Sequence, residues 1–471
     1  MKTMSRMATM AVAALIAAAG MAVVSADAAA ADRASQHGIT WTFDKDYPVG
    51  QFVTGDWWVV GPVTVTGVTP APVAGDAKPT DARNGSMINP RGPRGQGYDG
   101  RIAGYRAELS VTFPVDLKPG QSLVSAISHE KARNPEIFPH FERAIGVLKT
   151  AAVLTVVAEA PPAGSFRPPF AGDDKPLFSA EDLRLDKLPR LKKVPGVPKM
   201  ADIEKIFSRP WLDHIVGWTV RRLHPTENMP GYGREVSRGS GFGALMLCLD
   251  FPPEEKERLL VGTVQTGIDL YYTVKSGGGW PADGGHASGR KIVILIAGLM
   301  LDNKDMLAVE GAFGEDMQTY YGKGWTGATA LWQIYNHTGR RPPHEHQRPA
   351  RWKSAKDESY RRCCTALAWV GEALAARKLG LVEHWRHDAF FDYVDRWMTE
   401  TDTPEIKAAF HESPLFKTWF TRTGKRGTIT SGTVWDKWVK EMWVRYRGPI
   451  KPLHPSAEIL KRIEEGKPLP K

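Results

Sequence analysis

The chain has 471 residues, 42% hydrophobic and 24% charged, a balance that excludes wholesale disorder and allows two or three domains around a large core. Its formal net charge of +10 calls for an anionic partner, whether nucleic acid, acidic lipid or acidic polysaccharide. Three cysteines (Cys248, Cys363 and Cys364) are too few for a disulfide framework.

The N-terminus narrows the choice of partner. Lys2 and Arg6 precede an apolar run from Met7 to Val24, and small residues follow from Ser25 to Ala30. Residues 1–30 read as a secretory signal peptide with A-x-A cleavage options, a retained anchor being the alternative. The expected location is secreted or, in a bacterium, periplasmic. Nucleic acid then drops away and an acidic glycan leads. The longest later apolar run, Ile292 to Leu301, is too short for the roughly 20 residues of a span. It reads as a buried core helix, so no integral membrane segment is expected after signal cleavage.

Residues 31–160 are β in pattern. Thr40–Phe43, Trp57–Val60, Val63–Thr66 and Val153–Val157 are rich in β-branched and aromatic residues, with Gly61-Pro62 and Lys118-Pro119-Gly120 as punctuation. A β-sandwich-like N-terminal domain is expected. Residues 161–200 are proline-rich and basic, a linker or a strap over the surface. Helical periodicity starts near Ala201 and predicts helices at about 201–223, 239–251, 254–274, 286–302, 326–338, 356–379, 386–400, 404–421 and 432–446. Residues 451–471 read as a tail.

Four of these helices, starting near 239, 286, 326 and 360, are unusually apolar and carry Gly243, Gly298, Gly327 and Gly371. A glycine inside a helix costs about 1 kcal/mol, which close packing would explain. Buried helices alternating with amphipathic ones suggest two concentric layers over 201–450, an (α/α) toroid. The overall fold class is then multidomain α and β. Cys248 is expected in the core. Cys363 and Cys364 are expected as free buried thiols, because a disulfide between neighbours is strained.

If the apolar helices form an inner ring, their N-termini share a face. The entering segments are Tyr232-Gly233-Arg234-Glu235 with Arg238, the glycine-rich stretch Gly277 to His286 with Trp280, Asp283 and Arg290, the stretch Tyr320 to Trp325 with Tyr321 and Lys323, and Tyr360-Arg361-Arg362. Each brings an aromatic and a cation. Together they would line a basic, aromatic cleft, with rings to stack on sugars and guanidinium forks for carboxylates. His286, placed at a helix start with Arg290 one turn on, is expected to stay neutral and able to take a proton. Tyr360 gains from Arg361 and Arg362, which would lower its pKa. Tyr321 is the weaker phenol.

Other features are less informative. His344-Glu345-His346 has no third ligand in view and reads as an exposed loop, with no metal assigned. His384 and His387 lie one turn apart. Asn89 to Tyr98 is a basic loop that either closes over the cleft or is solvated. The sequence carries no P-loop, dinucleotide fingerprint, Gly-x-Ser-x-Gly elbow or His-Glu-x-x-His motif.

Over about 201–450 the sequence resembles secreted (α/α)-toroid polysaccharide lyases acting on uronate chains such as alginate. The resemblance rests on Gly279-Trp280-Pro281-Ala282-Asp283-Gly284-Gly285-His286-Ala287-Ser288-Gly289-Arg290 leading into an apolar helix, and on the Tyr360-Arg361 helix start. Several such lyases carry an Asn-His pair at the cleft; the pair here, Asn336-His337, falls at the far end of a helix. The resemblance implies β-elimination without a cofactor. His286 would be base or carboxylate neutraliser, and Tyr360, alternatively Tyr321, base and acid. Arg290 and Arg234 would clamp the carboxylate. Lys323 and Arg361 would hold neighbouring charged sugars, and Trp280, Asp283 and Trp325 would complete the binding surface. A glycoside hydrolase using Glu235 and Asp283, or a non-catalytic glycan-binding protein, are the competing readings.

Overall fold

A computed structural model describes residues 29–76, 78–93, 95–133, 146–215, 217, 222–334, 343–354, 356–413 and 431–470. Residues 1–28 of the expected signal peptide, Arg94 of the basic loop and the Asn336-His337 pair lie outside them, while Ala29 and Ala30 begin the first strand.

The β half is one sheet, not a sandwich. Its strands are β1 (Ala29–Gln36), β2 (Ile39–Gln51), β3 (Trp57–Val60), β4 (Val63–Thr69), β5 (Ser86–Ile88), β6 (Val115–Leu117), β7 (Ser122–Arg133) and β8 (Gly146–Val157). They run in the order β5-β7-β8-β3-β2-β4-β6, with β1 also on β2. Only β3 and β8 pair in parallel among these. The reason for one curled half-barrel lies in β2. Its first part, Thr40–Phe43, pairs with β4, and its end, Val49–Gln51, pairs with β3. Register shifts at Ala31/Arg33 and Thr42/Phe43 bend it between the two partners.

β8 and the first part of β7, Ser122–Ala126, are buried on both faces, as apolar runs such as Ala151–Leu154 require. Leu123 and Leu154 join Trp41, Phe43 and Val65 in the concave core. Val124 and Val153 point the other way, into a layer with Tyr98, Phe170, Leu212 and Leu223. That layer joins the sheet to the rest of the chain.

Part of the proline-rich segment runs through this junction, while residues 173–200 are mostly exposed or half-buried. Residues 165–172 are buried. Arg167 is the cause: its guanidinium donates to Asp56 beside the sheet (2.7 Å) and to Asp269 of the helical half (2.5 Å). A cation with two buried carboxylate partners cannot lie in an exposed strap.

The helices are α1 (Met200–Phe207), α2 (Gly233–Cys248), α3 (Pro253–Lys275), α4 (Lys291–Met300), α5 (Lys304–Leu307), α6 (Gly314–Gln318), α7 (Lys356–Tyr360), α8 (Ala366–Lys378), α9 (Val382–Trp385), α10 (Asp388–Thr399), α11 (Pro404–Glu412), α12 (Lys437–Tyr446) and α13 (Ser456–Glu464). None of the described helices is long and apolar enough to cross a membrane. α2 is buried on every side, and α4 and α8 nearly so. α2 lies against both α4 and α8, while α1, α3, α10 and α12 pack around them. Glycine permits the closest approaches: Gly371 faces Gly241 across α2 and α8 (3.4 Å for an added Cβ), and Gly298 meets the Leu307 backbone (2.9 Å).

Several expected helices are corrected. Pro210 stops the first at Phe207 instead of 223. The helix expected from 286 begins at Lys291, because the residues before it loop through Gly289 at φ +99. Of the helix expected at 326–338, the described residues 326–334 belong to a hairpin instead, in which β9 (Thr319–Tyr321) pairs with β10 (Ala330–Trp332); 335–338 lie outside the described residues. Gly327, at φ +86, belongs to its turn. The tail carries α13, whose Ile459 is fully buried. Cys248 is a buried free thiol, as expected. Cys363 and Cys364 are joined in a disulfide, contrary to expectation. They lie in a π-helical turn, Arg361–Thr365, whose wider winding alters the α-helical spacing of neighbours.

Candidate active site

Three of the four segments singled out from the sequence meet at the loop 283–290. A side chain at Gly233, the first residue of α2, would overlap the His286 carbonyl. Gly289 lies against Ser237 (2.6 Å for an added Cβ), and Gly285 against the Cys364 carbonyl (2.8 Å). The Tyr360 ring covers Gly284, 2.9 Å from an added Cβ. Imidazole 286 and phenol 360 therefore share one neighbourhood. Tyr232, expected only as one of the aromatics lining the cleft, packs edge-on against His286 with ring centroids 4.4 Å apart.

A small cavity of ≈ 30 Å³ opens here, lined by Asp213, His224, Trp280, Asp283, His286 and Arg290 among others. Ligand pockets for drug-sized molecules run to roughly 300–1,000 Å³. This one takes a group of carboxylate size, with the remainder of a ligand outside it. His286 and Asp283 are half-buried at the rim. Asp213, His224 and Arg290 are buried at the floor. Arg290 Nε donates to Asp213 Oδ2 at 2.6 Å, and Nη1 donates to the carbonyls of His286 (3.2 Å) and Ser288 (2.5 Å). No hydrogen bond among the described residues occupies its Nη2. His224 bonds Asp213 Oδ1 at 2.9 Å. Burial alone would raise the Asp213 carboxyl; the charges of Arg290 and His224 outweigh it and hold the pKa below the usual value.

Several expected roles do not fit these positions. His286 lies five residues before α4, so the helix-terminus argument for its neutrality lapses. Trp280 is no sugar platform. It is 4% exposed, its indole donates to the Asp213 carbonyl at 3.1 Å, and it lies beside Arg290 at 5.9 Å. It anchors the cavity floor. Arg234 is buried against Glu235 and donates to the Cys363 carbonyl at 2.9 Å; it ties α2 to the π-turn and is no carboxylate clamp. Glu235 also takes Arg238, so the carboxyl pair with Asp283 needed for hydrolysis is not open to a substrate.

Arg361 is likewise internal. It pairs with Glu358 (3.0 Å), Glu345 (3.4 Å) and Glu400 (2.6 Å), while Arg362 pairs with Glu358 and Asp402. Their charges are spent on these carboxylates, not on Tyr360. Tyr321 donates to Asp392 at 2.7 Å; burial first and then that bond push its pKa upward, which removes it as a base. Lys323 is exposed, and Trp325 packs edge-on against Phe410 at 6.4 Å. Neither lines the cavity. His344 and Glu345 are buried, not in an exposed loop. His344 bonds Glu358 at 2.8 Å and His346 bonds the Lys323 carbonyl at 2.8 Å, so the two imidazoles serve different partners.

The basic loop has a defined seat. Gly92 packs on the Gly278 backbone and the His214 carbonyl, each 2.6 Å from an added Cβ. The loop thus buttresses the glycine-rich segment that enters the site.

Asp213 and His224 were missed in the sequence. Their signal was weak: a lone acid between apolar residues at Asp213, and one histidine in a mixed basic and polar stretch at His224. Compared with known protein families, curated proteins and solved structures, the chain matches none.

Proposed function

We propose that this protein is a polysaccharide lyase cleaving a uronate-containing chain by β-elimination. The observation that carries the reading is the meeting of His286, Tyr232 and Tyr360 around one loop, with His286 and Arg290 lining the cavity beside it. The carboxylate of a uronate enters the cavity toward Arg290 Nη2. His286 at the rim takes the proton from C5. Negative charge then develops on the carboxylate, where the guanidinium stabilises it. The Tyr360 hydroxyl supplies a proton to the departing C4 oxygen. Glycoside hydrolysis requires two carboxyl groups about 5–10 Å apart at the bond, and the burial of Glu235 between two arginines favours elimination instead. No cofactor enters this scheme.

The same proposal extends to the architecture. The buried α2, α4 and α8 would be the inner members of an (α/α) toroid, and residues 1–30 would direct the protein to secretion or to the periplasm. The test is a panel of alginate, glucuronan and glycosaminoglycans, read for a new ultraviolet-absorbing double bond. Appearance of that absorbance, and its loss in H286A and Y360F, is expected. Release of reducing sugar without absorbance would overturn elimination in favour of hydrolysis.

A further inference from the structure

The charge of the cavity floor depends on a residue that the elimination scheme does not use. Arg290 alone would attract a carboxylate, but Asp213 neutralises it through the 2.6 Å bond. His224 breaks that balance. Its Nε2 faces Asp213 Oδ1 at 2.9 Å and its Nδ1 faces the Pro230 carbonyl at 2.8 Å. A carbonyl oxygen only accepts, and so does an ionised carboxylate. A neutral imidazole has one N–H and would leave one of the two contacts as acceptor against acceptor. The imidazolium has two and satisfies both. With His224 4% exposed, Asp213 5% and Arg290 1%, water cannot screen the result.

We infer that His224, held as an imidazolium between Asp213 and the Pro230 carbonyl, leaves the cavity floor with a net positive charge and so makes the site select a carboxylate over its neutral amide or ester. The inference rests on the reading of this cavity as the seat of the uronate carboxylate. Asp283 is the other acid lining the cavity, at the half-buried rim where solvent screens it. His224 touches no substrate in this scheme, since both its nitrogens point to protein acceptors. It is a positioning residue that acts through Asp213 on Arg290. The substrate class follows: uronates with free carboxylates, not methyl-esterified chains.

The test is binding of D-glucuronate and of D-glucuronamide, followed by calorimetry on the full chain. Wild-type protein should prefer the carboxylate by about tenfold, the worth of one charge-assisted hydrogen bond. H224Q keeps the size of the ring but not its charge, and should lose that preference. D213N/H224Q removes the acid as well, frees Arg290, and should regain it. A merely structural role for His224 would not be rescued by a second change in the same network. Retained preference in H224Q, none in the wild type, or no recovery in a folded double variant would each overturn the inference. Where H224Q does not fold, nitrogen-15 spectra of the wild-type protein decide: two ring N–H signals for His224 support it and one overturns it. The reading as a lyase fails separately, if no polysaccharide gives an unsaturated product while the protein still discriminates the carboxylate.

Discussion

Glu315→Gln should make the protein more stable at neutral and alkaline pH. Glu315 sits in the first turn of α6 and is fully buried. One of its oxygens accepts the Gly289 amide at 3.3 Å, and the other has no hydrogen-bond partner among the described residues. Burial first, then the charge of Asp316, pushes its pKa from 4.5 up to about 7. Glu372, equally buried and bonded to Ser237, is raised too, by burial and then by Glu315.

The sign follows from proton binding. Between pH 4.5 and about 7 the folded state keeps a proton that the unfolded chain has lost, so stability falls as pH rises through that window and is level above it. At about 1.4 kcal/mol per pH unit, the loss is roughly 3 kcal/mol. Glutamine cannot ionise and keeps the acceptor for Gly289. E315Q should therefore match the wild type near pH 4.5 and exceed it by up to roughly 3 kcal/mol at pH 8. Urea unfolding of both proteins across pH 4.5–8 measures this. Parallel curves, or a variant less stable at pH 8, would refute the assignment of the proton to Glu315.

Three further outcomes are expected. Arg167→Leu strands two buried carboxylates at the junction of sheet and helices, and should cost about 3–5 kcal/mol in thermal unfolding, a loss far beyond that of an exposed arginine. Gly233→Ala forces the His286 carbonyl away from α2; elimination should fall by about tenfold or more, since misplacement of a catalytic group by about 1 Å can cost 10²-fold, while circular dichroism stays unchanged. Tyr321→Phe should cost about 1 kcal/mol for its bond to Asp392 and leave product formation intact; abolished activity would put Tyr321 back in the site.

Four strands, β2, β3, β4 and β8, were legible because alternating or continuous β-branched runs have few other uses, and α2, α3, α8 and α10 because their apolar residues recur over long stretches. The stretch 326–338 misled because Ala330-Leu331-Trp332 is a short apolar run, which fits a buried strand as well as a helix. The meeting of His286 and Tyr360 was legible as an idea from placing both at helix starts that share a face; the glycine contacts that bring α2, the 283–290 loop and the π-turn together were not. The fate of the cations was not. Composition counts arginines but not their partners, and Arg290 finds Asp213, Arg361 finds Glu400 and Arg167 finds Asp56 across long stretches of chain. A basic surface therefore overstated how much positive charge faces the cleft. The little that does is set by Asp213 and His224, whose pairing exists only after folding.

The most direct measurement of the central claim is the mass of the new non-reducing end formed from a uronate oligosaccharide. β-Elimination by His286 and Tyr360 predicts a product lacking one water relative to the hydrolysis product, formed by the wild type and absent with H286A. A product carrying that water, or an H286A protein as active as the wild type, would contradict it.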